Sequence, residues 1–267
     1  GVDVNLTRHW RGQSLGVSVG YSGEHDYHSR SVGLNYERDF FKQNTTLALS
    51  LSYASDELTP TDAQLFQRLE KGSKHTRSFY ASVNQLLSPV SMLNLGFGIT
   101  KRTGELSDPY KLRDVRPGKR VERTLTANYR RYFDWQTSSL AVDYRYFWDS
   151  YSVGAHTLAM SWMLGDEAGV QWGPMLRYYS QSAAAFYTPW DRYDQLETIA
   201  QSSDFRLSTF GAVSYGLKAR YRIGAVQISM QYERYDSGSG YALSSAKTEH
   251  PGLVDFEVLS LGAEYRF

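Results

Sequence analysis

The chain of 267 residues carries 29 Lys and Arg against 28 Asp and Glu, a formal charge of +1, and it contains no cysteine. That balance creates no field to draw in nucleic acid, and the lack of thiols removes disulfides, zinc–thiolate sites and cysteine nucleophiles together. Mean hydropathy is -0.49, and no apolar run approaches the ~20 residues of a helical membrane span. An alternating β-barrel tolerates such an average, because half of each of its strands faces a polar interior.

Taken in chain order, the strands declare themselves by a period of two. In "SLGVSVGY", Leu15, Val17, Val19 and Tyr21 share one face, and Ser14, Gly16, Ser18 and Gly20 share the other. "TLALSLSY" sets Leu47, Leu49, Leu51 and Tyr53 against Thr46, Ala48, Ser50 and Ser52. Further on, Leu140, Val142, Tyr144, Tyr146 and Trp148 oppose Ala141, Asp143, Arg145 and Phe147. Val226, Ile228, Met230 and Tyr232 oppose Gln227, Ser229, Gln231 and Glu233. The last strand sets Leu259, Leu261, Ala263, Tyr265 and Phe267 against Ser260, Gly262, Glu264 and Arg266. Several apolar faces run aliphatic in the middle and aromatic towards one end, the pattern of a hydrocarbon band edged by a girdle. A soluble sandwich or lipocalin-like barrel would share the alternation, so the girdle carries the distinction.

Links between strands alternate in length. Tight ones fall near Arg11–Gly12, Phe41–Gln43, Ser88–Val90, Asp134–Gln136, Gly165–Gly169 and Gly224. Long ones fall at Asp56–Gly72, Thr103–Lys119, Ala183–Phe205 and Ser237–Gly252, with short exceptions near His25 and Asp149. Short turns at one rim and long loops at the other predict a single all-β domain, a transmembrane antiparallel up-and-down β-barrel in a bacterial outer membrane. About thirteen strands are countable, and bacterial barrels take even numbers, so a wall of about 14 with its first strand outside this chain is expected. No secretory leader is visible, which fits an exported protein in its mature form. Terminal Phe267 reads as a C-terminal assembly signal.

Several stretches resemble a family of bacterial outer-membrane barrels catalogued as domain of unknown function 3570. They are "SGEHDYHSRSVGLNYERDF", "NTTLALSLSYASDE", "LSDPYK", "YRYFWDSYSVGAHTL", "LRYYSQSAAAFY", "SSDFRLSTFGAVSYGLK" and "YERY", in the family's order. The family's N-terminal segment, with a Ser-Gly-Ala-Ser-Pro-like motif, has no counterpart here, and Ala185 stands where the family pattern expects an acid. The resemblance implies an outer-membrane barrel in contact with membrane lipids, without an established reaction. It also implies a link to small lipoproteins and to flavin-transfer or thioredoxin-like proteins.

Candidate chemistry gathers in a few places. Strand parity points Arg177, Tyr179 and Gln181 inward, where Arg177 offers a fork to an anion or pairs with lumenal acids. Lys218, Arg220 and Arg222 face inward on one strand and Gln227, Gln231 and Glu233 on the next, with Asp143, Arg145 and Glu264 towards the same space. These groups make either a charged constriction or a paired interior network. Asp108 initiates a turn before Pro109, letting Tyr110 and Lys111 pack the loop against the wall. Asp204 and Arg206 sit where a long loop re-enters a strand. "EHDYH" offers Glu24, His25, Asp26 and His28, a set that reads as a solvated hairpin, and no metal or cofactor is expected. Inward Gly16, Gly20, Gly96 and Gly98 suggest room in the lumen for water, a loop or a partner peptide. The expected function is a structural or export/transport scaffold that docks a lipoprotein or periplasmic partner. A porin-like channel for small solutes is the alternative. An outer-membrane enzyme, with His156 as its base near the rim, is a further one.

Overall fold

The structure, a computed structural model, describes residues 1–267 except 67, 68, 112, 167, 168, 195, 197, 246, 247 and 267. Phe267, the expected assembly signal, therefore lies outside the described residues. The strands are β1 (Val2–Trp10), β2 (Gln13–Gly23), β3 (Tyr27–Phe40), β4 (Thr45–Leu58) and β5 (Gly72–Ser88). Next come β6 (Ser91–Gly104), β7 (Lys119–Phe133), β8 (Ser138–Asp149) and β9 (Gly154–Met163). The last are β10 (Val170–Gln181), β11 (Phe210–Ile223), β12 (Val226–Gly238) and β13 (Phe256–Tyr265). They form one 13-stranded sheet in strict chain order, each strand antiparallel to the next. That is one strand fewer than the expected wall of about 14. Among the described residues β1 and β13 are each paired on one side only.

The face that each strand exposes is the apolar one. Val4, Leu6, Val19, Leu51, Leu95, Leu176, Leu217, Ile228 and Leu261 stand on it, Leu261 72% exposed and Leu6 74%. Leu49 and Val142, on the same face, are half-buried. In water such a band would be an aggregation surface far larger than soluble proteins carry. Against acyl chains it is the stable arrangement, and the paired backbone satisfies its own polar groups.

Both edges of the band carry a girdle. At the short-turn rim, Arg8 stacks over Trp10, Arg38 over Phe40 and Arg131 over Phe133, with guanidinium-to-ring distances of 5.2, 5.1 and 4.9 Å. Each arginine lies two residues before its ring, so its stem runs along the apolar band while its head reaches the rim. At the long-loop rim, tyrosine hydroxyls meet His Nδ1 atoms in Tyr21–His28, Tyr53–His75 and Tyr144–His156, at 3.4, 3.1 and 2.8 Å. Such amphipathic rings suit a membrane–water boundary.

The inner face carries the small and polar residues, and its glycines are not vacant pits. A Cβ at Gly96 would meet the Tyr80 hydroxyl at 2.2 Å, and one at Gly20 would meet Asp3 Oδ1 at 2.5 Å. Neighbouring side chains lean across Gly20 and Gly96, so these two glycines make room for Asp3 and Tyr80. At the β9–β10 turn, Gly165 takes φ +102, and a Cβ there would lie 2.0 Å from Val170 O. Only glycine closes this turn without strain.

Adjacent residues on β6 test the two faces. Leu95→Arg should weaken folding into phosphatidylcholine vesicles by about 2–4 kcal/mol, and Asn94→Arg by under about 1 kcal/mol. Urea titration in vesicles measures both, and equal penalties would reverse the assignment of faces.

Candidate functional site: the loop-built mouth

The buried interior lies at one end of the sheet, beyond the strand ends. Its apolar part is Tyr151, Val153, Ala184 and Leu207, packed against Leu106, Phe147, Phe186 and Tyr187. These residues come from the β6–β7, β8–β9 and β10–β11 connections and the adjoining strand ends. The Tyr151 and Phe186 rings meet edge to face with centroids 4.9 Å apart. Tyr151 also donates to Pro117 O at 2.6 Å and lies beneath the Arg120 guanidinium. Burial pushes its hydroxyl up to about 12, which keeps it a donor.

A ladder of charges welds the loops. Arg116, on the β6–β7 loop, binds Asp114 through Nε at 2.8 Å and Asp204, on the β10–β11 loop, through Nη2 at 2.8 Å. Arg206 clasps Asp204 in turn, with Nε 2.9 Å from both carboxylate oxygens, and Asp108 lies 4.0 Å from its far end. Burial alone would raise the Asp204 carboxyl, but hydrogen bonds from Arg206 and Arg116 outweigh that and hold it well below the usual range. Below this ladder Asp149 accepts from the Tyr151 and Val153 amides, both at 2.9 Å, and from Arg120 Nε at 2.7 Å. That fixes the tight β8–β9 turn, in which Ser152 has φ 70.

Neutral groups complete the seam. The Val115 and Gln201 backbones form an antiparallel bridge, and the Gln201 side chain, 1% exposed, bonds the Arg192 backbone through both ends of its amide. Gln181 donates to the carbonyls of Arg206 and Ser208, anchoring the re-entrant loop to the end of β10. Lys111 Nζ donates to Ser203 Oγ at 2.9 Å, and His250 Nε2 lies 3.0 Å from Ser203 O, bringing in the β12–β13 loop. Tyr110 donates to Asp26 in the β2–β3 turn. These contacts run as chords from the β2–β3 end of the sheet to the β12–β13 end. A flat sheet would set β3 and β12 about 43 Å apart at ~4.8 Å per strand, and sheets of more than ~10 strands curl. The curled wall lets its long connections fold over one opening.

The expected loop residues Asp108, Tyr110, Lys111, Asp204 and Arg206 thus come together, although Tyr110 and Lys111 bind other loops where packing on the wall was expected. Arg116, Asp114, Arg120, Asp149 and Gln201 belong to the same seam and were not singled out from sequence. Asp149 was signalled only by its place in "FWDSYSVG", and Arg116 by nothing in its local pattern.

The inward strand residues fall into separate groups. Arg177 and Tyr179 line a cavity of about 160 Å³ with Phe210, Ala212, Ser214 and Tyr235. Arg177 makes no ion pair or hydrogen bond with any described residue, so the expected pairing with lumenal acids is not formed. Asp143 is held by Arg130 at 2.7 Å, while Arg145 stacks over Phe147. Glu264 meets Arg266 at 3.1 Å, and Gln231 donates to Glu233 at 3.1 Å. Lys218 and Arg220 have no partner among the described residues. Arg220, Arg222 and Arg266, with Gln171 and Gln227, line a cavity of about 310 Å³ at the short-turn end. Paired and unpaired charges therefore coexist in the interior. His156 lies on the outward face between Tyr144 and Tyr146, its ring 4.7 Å from the latter.

Fold and mouth together define a barrel-type antiparallel meander capped by its own loops. The chain belongs to the family described as protein of unknown function (DUF3570), which it matches over residues 1–247. No curated protein matches it. Among solved structures, CdiB from Acinetobacter baumannii is similar with a TM-score of 0.48 and 12% identity, over 95% of this chain and 47% of that chain. The chain thus spans about half the length of that structure's chain.

The Asp204 ladder has a pH signature. A depressed carboxyl contributes fully above the ordinary aspartate value of about 4, and its contribution is lost as pH falls below that towards the lowered one. Hydrogen exchange at the Val115 and Gln201 amides, corrected for intrinsic rate, should accelerate on acidification below about pH 4. In Asp204→Ala it should be fast already at neutral pH. Unaltered protection in the variant would place the lock elsewhere.

Proposed function

We propose that this protein is an outer-membrane β-barrel acting as a structural or export/transport scaffold that docks a lipoprotein or periplasmic partner. The observation that carries this reading is the mouth. Its buried core, its two-loop charge ladder and its backbone bridges gather most of the buried residues among those described. An open diffusion channel has no need of a folded cap, and desolvating so many polar groups is costly unless closure matters.

The short-turn rim supports a docking role. The cavity lined by Arg220, Arg222 and Arg266 has Lys218 on the same strand, with Glu264 bound to Arg266 at its edge. It is a cationic recess suited to an acidic segment of a periplasmic partner. The porin-like alternative rests on the cavities beneath the cap, which would carry small solutes if the mouth opened. On this reading the protein is not an enzyme. The ladder carboxylates Asp114, Asp149 and Asp204 are committed to arginines, and His156 is engaged by tyrosines on the outward face.

Planar-bilayer recordings separate the readings. The intact protein should give no steady conductance, and Arg116→Ala combined with Asp204→Ala should open one. Steady conductance from the unaltered protein would favour the porin. Purification in mild detergent should also bring down a stoichiometric second chain, less of it from Arg220→Glu. Recovery as a lone monomer from native membranes would defeat the scaffold.

A further inference from the structure

The outward face of β3–β7 carries a cluster of cations beside the long-loop rim. Arg77 on β5 and Lys101 on β6 are direct cross-strand partners. One residue pair closer to the mouth runs the row Arg30, Ser55, His75, Thr103 and Lys119. One pair closer to the middle of the wall, Leu34, Leu51, Phe79 and Ile99 lead to Arg123. No acidic residue stands in these three rows. None of the five cations has an ion pair or hydrogen bond with a described residue, and Arg30, Arg77, Lys101 and Lys119 are exposed.

This is an unfavourable arrangement for a chain left to itself. Like charges directly opposite on a sheet repel, and the repulsion grows beside a low-dielectric medium. The inner sides of β6–β8 are arranged otherwise, with Arg102 bound to Glu122, Arg120 to Asp149 and Arg130 to Asp143. The acids of β6–β8 are thus placed on the inner face. The next row towards the mouth, at Ser73, holds Glu57, which binds Lys71 and acts on Arg30, and Glu105, which accepts from the Ser107 amide. Within the three rows themselves no acid offsets the cations, which leaves Arg77 and Lys101 open to an anion from outside the chain.

We propose that this cluster binds the phosphorylated headgroup of a lipid in the leaflet next to the long loops, with its acyl chains lying along the apolar band below. The inference rests on the outer-membrane barrel reading. The level is that of the Tyr–His girdle, where headgroups meet chains, since Tyr53 and His75 lie within the same rows. Arginine forks and lysine ammonium groups both bond phosphate oxygens strongly. Four strand spacings separate β3 from β7, about 19 Å, so the cations cover more than one phosphate. That width favours a glycolipid bearing two phosphates. Below them Leu51, Leu95, Phe97 and Leu125 offer a continuous apolar track for the chains.

Native mass spectrometry of the full chain tests this, with bisphosphorylated lipid A as probe and the same lipid stripped of phosphate as control. The intact protein should bind the phosphorylated form at least about tenfold more tightly, and Arg77→Gln with Lys101→Gln should lose about tenfold. Arg77→Lys with Lys101→Arg should keep most of the binding. Arg234→Gln, whose cation already meets Asp236 and Glu257, should leave it unchanged. If the double variant does not fold, Lys101→Gln alone and the comparison of the two lipids still decide. Equal binding of the two lipids overturns the inference, as does displacement by millimolar inorganic phosphate, which would mark a site for the free anion. Insertion into bilayers without lipid preference defeats this inference alone. Failure to insert at all defeats the barrel reading with it.

Discussion

A backbone amide surrounded by hydrocarbon has only another backbone group to bond with, and each unmet one costs several kilocalories. The 13-stranded antiparallel sheet meets that demand from β2 to β12 by pairing each strand with its sequence neighbours, and for β1 and β13 on one side among the described residues. Once the backbone is committed to strands, side chains alternate between faces with no further choice. Leucine and valine then fall outside along the middle of the wall, and serine and asparagine fall inside. The girdles follow from the same geometry, since a ring or a stacked arginine is stable only where the apolar band meets water.

A wall of this kind gains little from an apolar interior, because its apolar side chains point away from it. What burial it has is concentrated at the mouth, where Tyr151, Val153, Ala184 and Leu207 lose their contact with solvent. Each large apolar side chain so buried contributes on the order of 1.5–3 kcal/mol. The ion pairs around Asp204 and Asp149 do something different. Buried pairs rarely add net stability over an apolar equivalent, but breaking one leaves a stranded charge. They fix which loop meets which, and so make closure specific. The unpartnered cations at the two rims, outward by Arg77 and inward by Arg220, stand in contrast to this self-satisfied cap.

Much of the wall was legible in the sequence because its signal is local. Leu15 to Tyr21 reveal their face by spacing alone, and Gly165 and Gly224 mark turns by chemistry alone. The mouth is another matter. Asp108 and Asp204 could be picked out as turn residues, yet Arg116, the side chain that joins their loops, sits in "RDVRPGKR" with nothing to set it apart. Its partner lies 88 residues further on, and no periodicity spans such a distance. Gly96 illustrates the opposite error. A glycine on an inward face reads as vacancy, and only coordinates reveal that the Tyr80 ring crosses it. Arg77 and Lys101 were visible as residues, but their confrontation depends on strand register, which a hairpin's length alone does not specify.

The placement of burial reverses a familiar rule of protein change. In most folds the interior resists substitution while surface loops drift, lengthen and diversify. Here the connections above the wall hold the interior, so insertions within 105–118 or 182–209 would disturb packing as a core mutation does. The freedom to vary would instead lie with the lipid-facing leucines and valines, which need only remain greasy. A molecule built this way can change its mouth only at the cost of its packed interior.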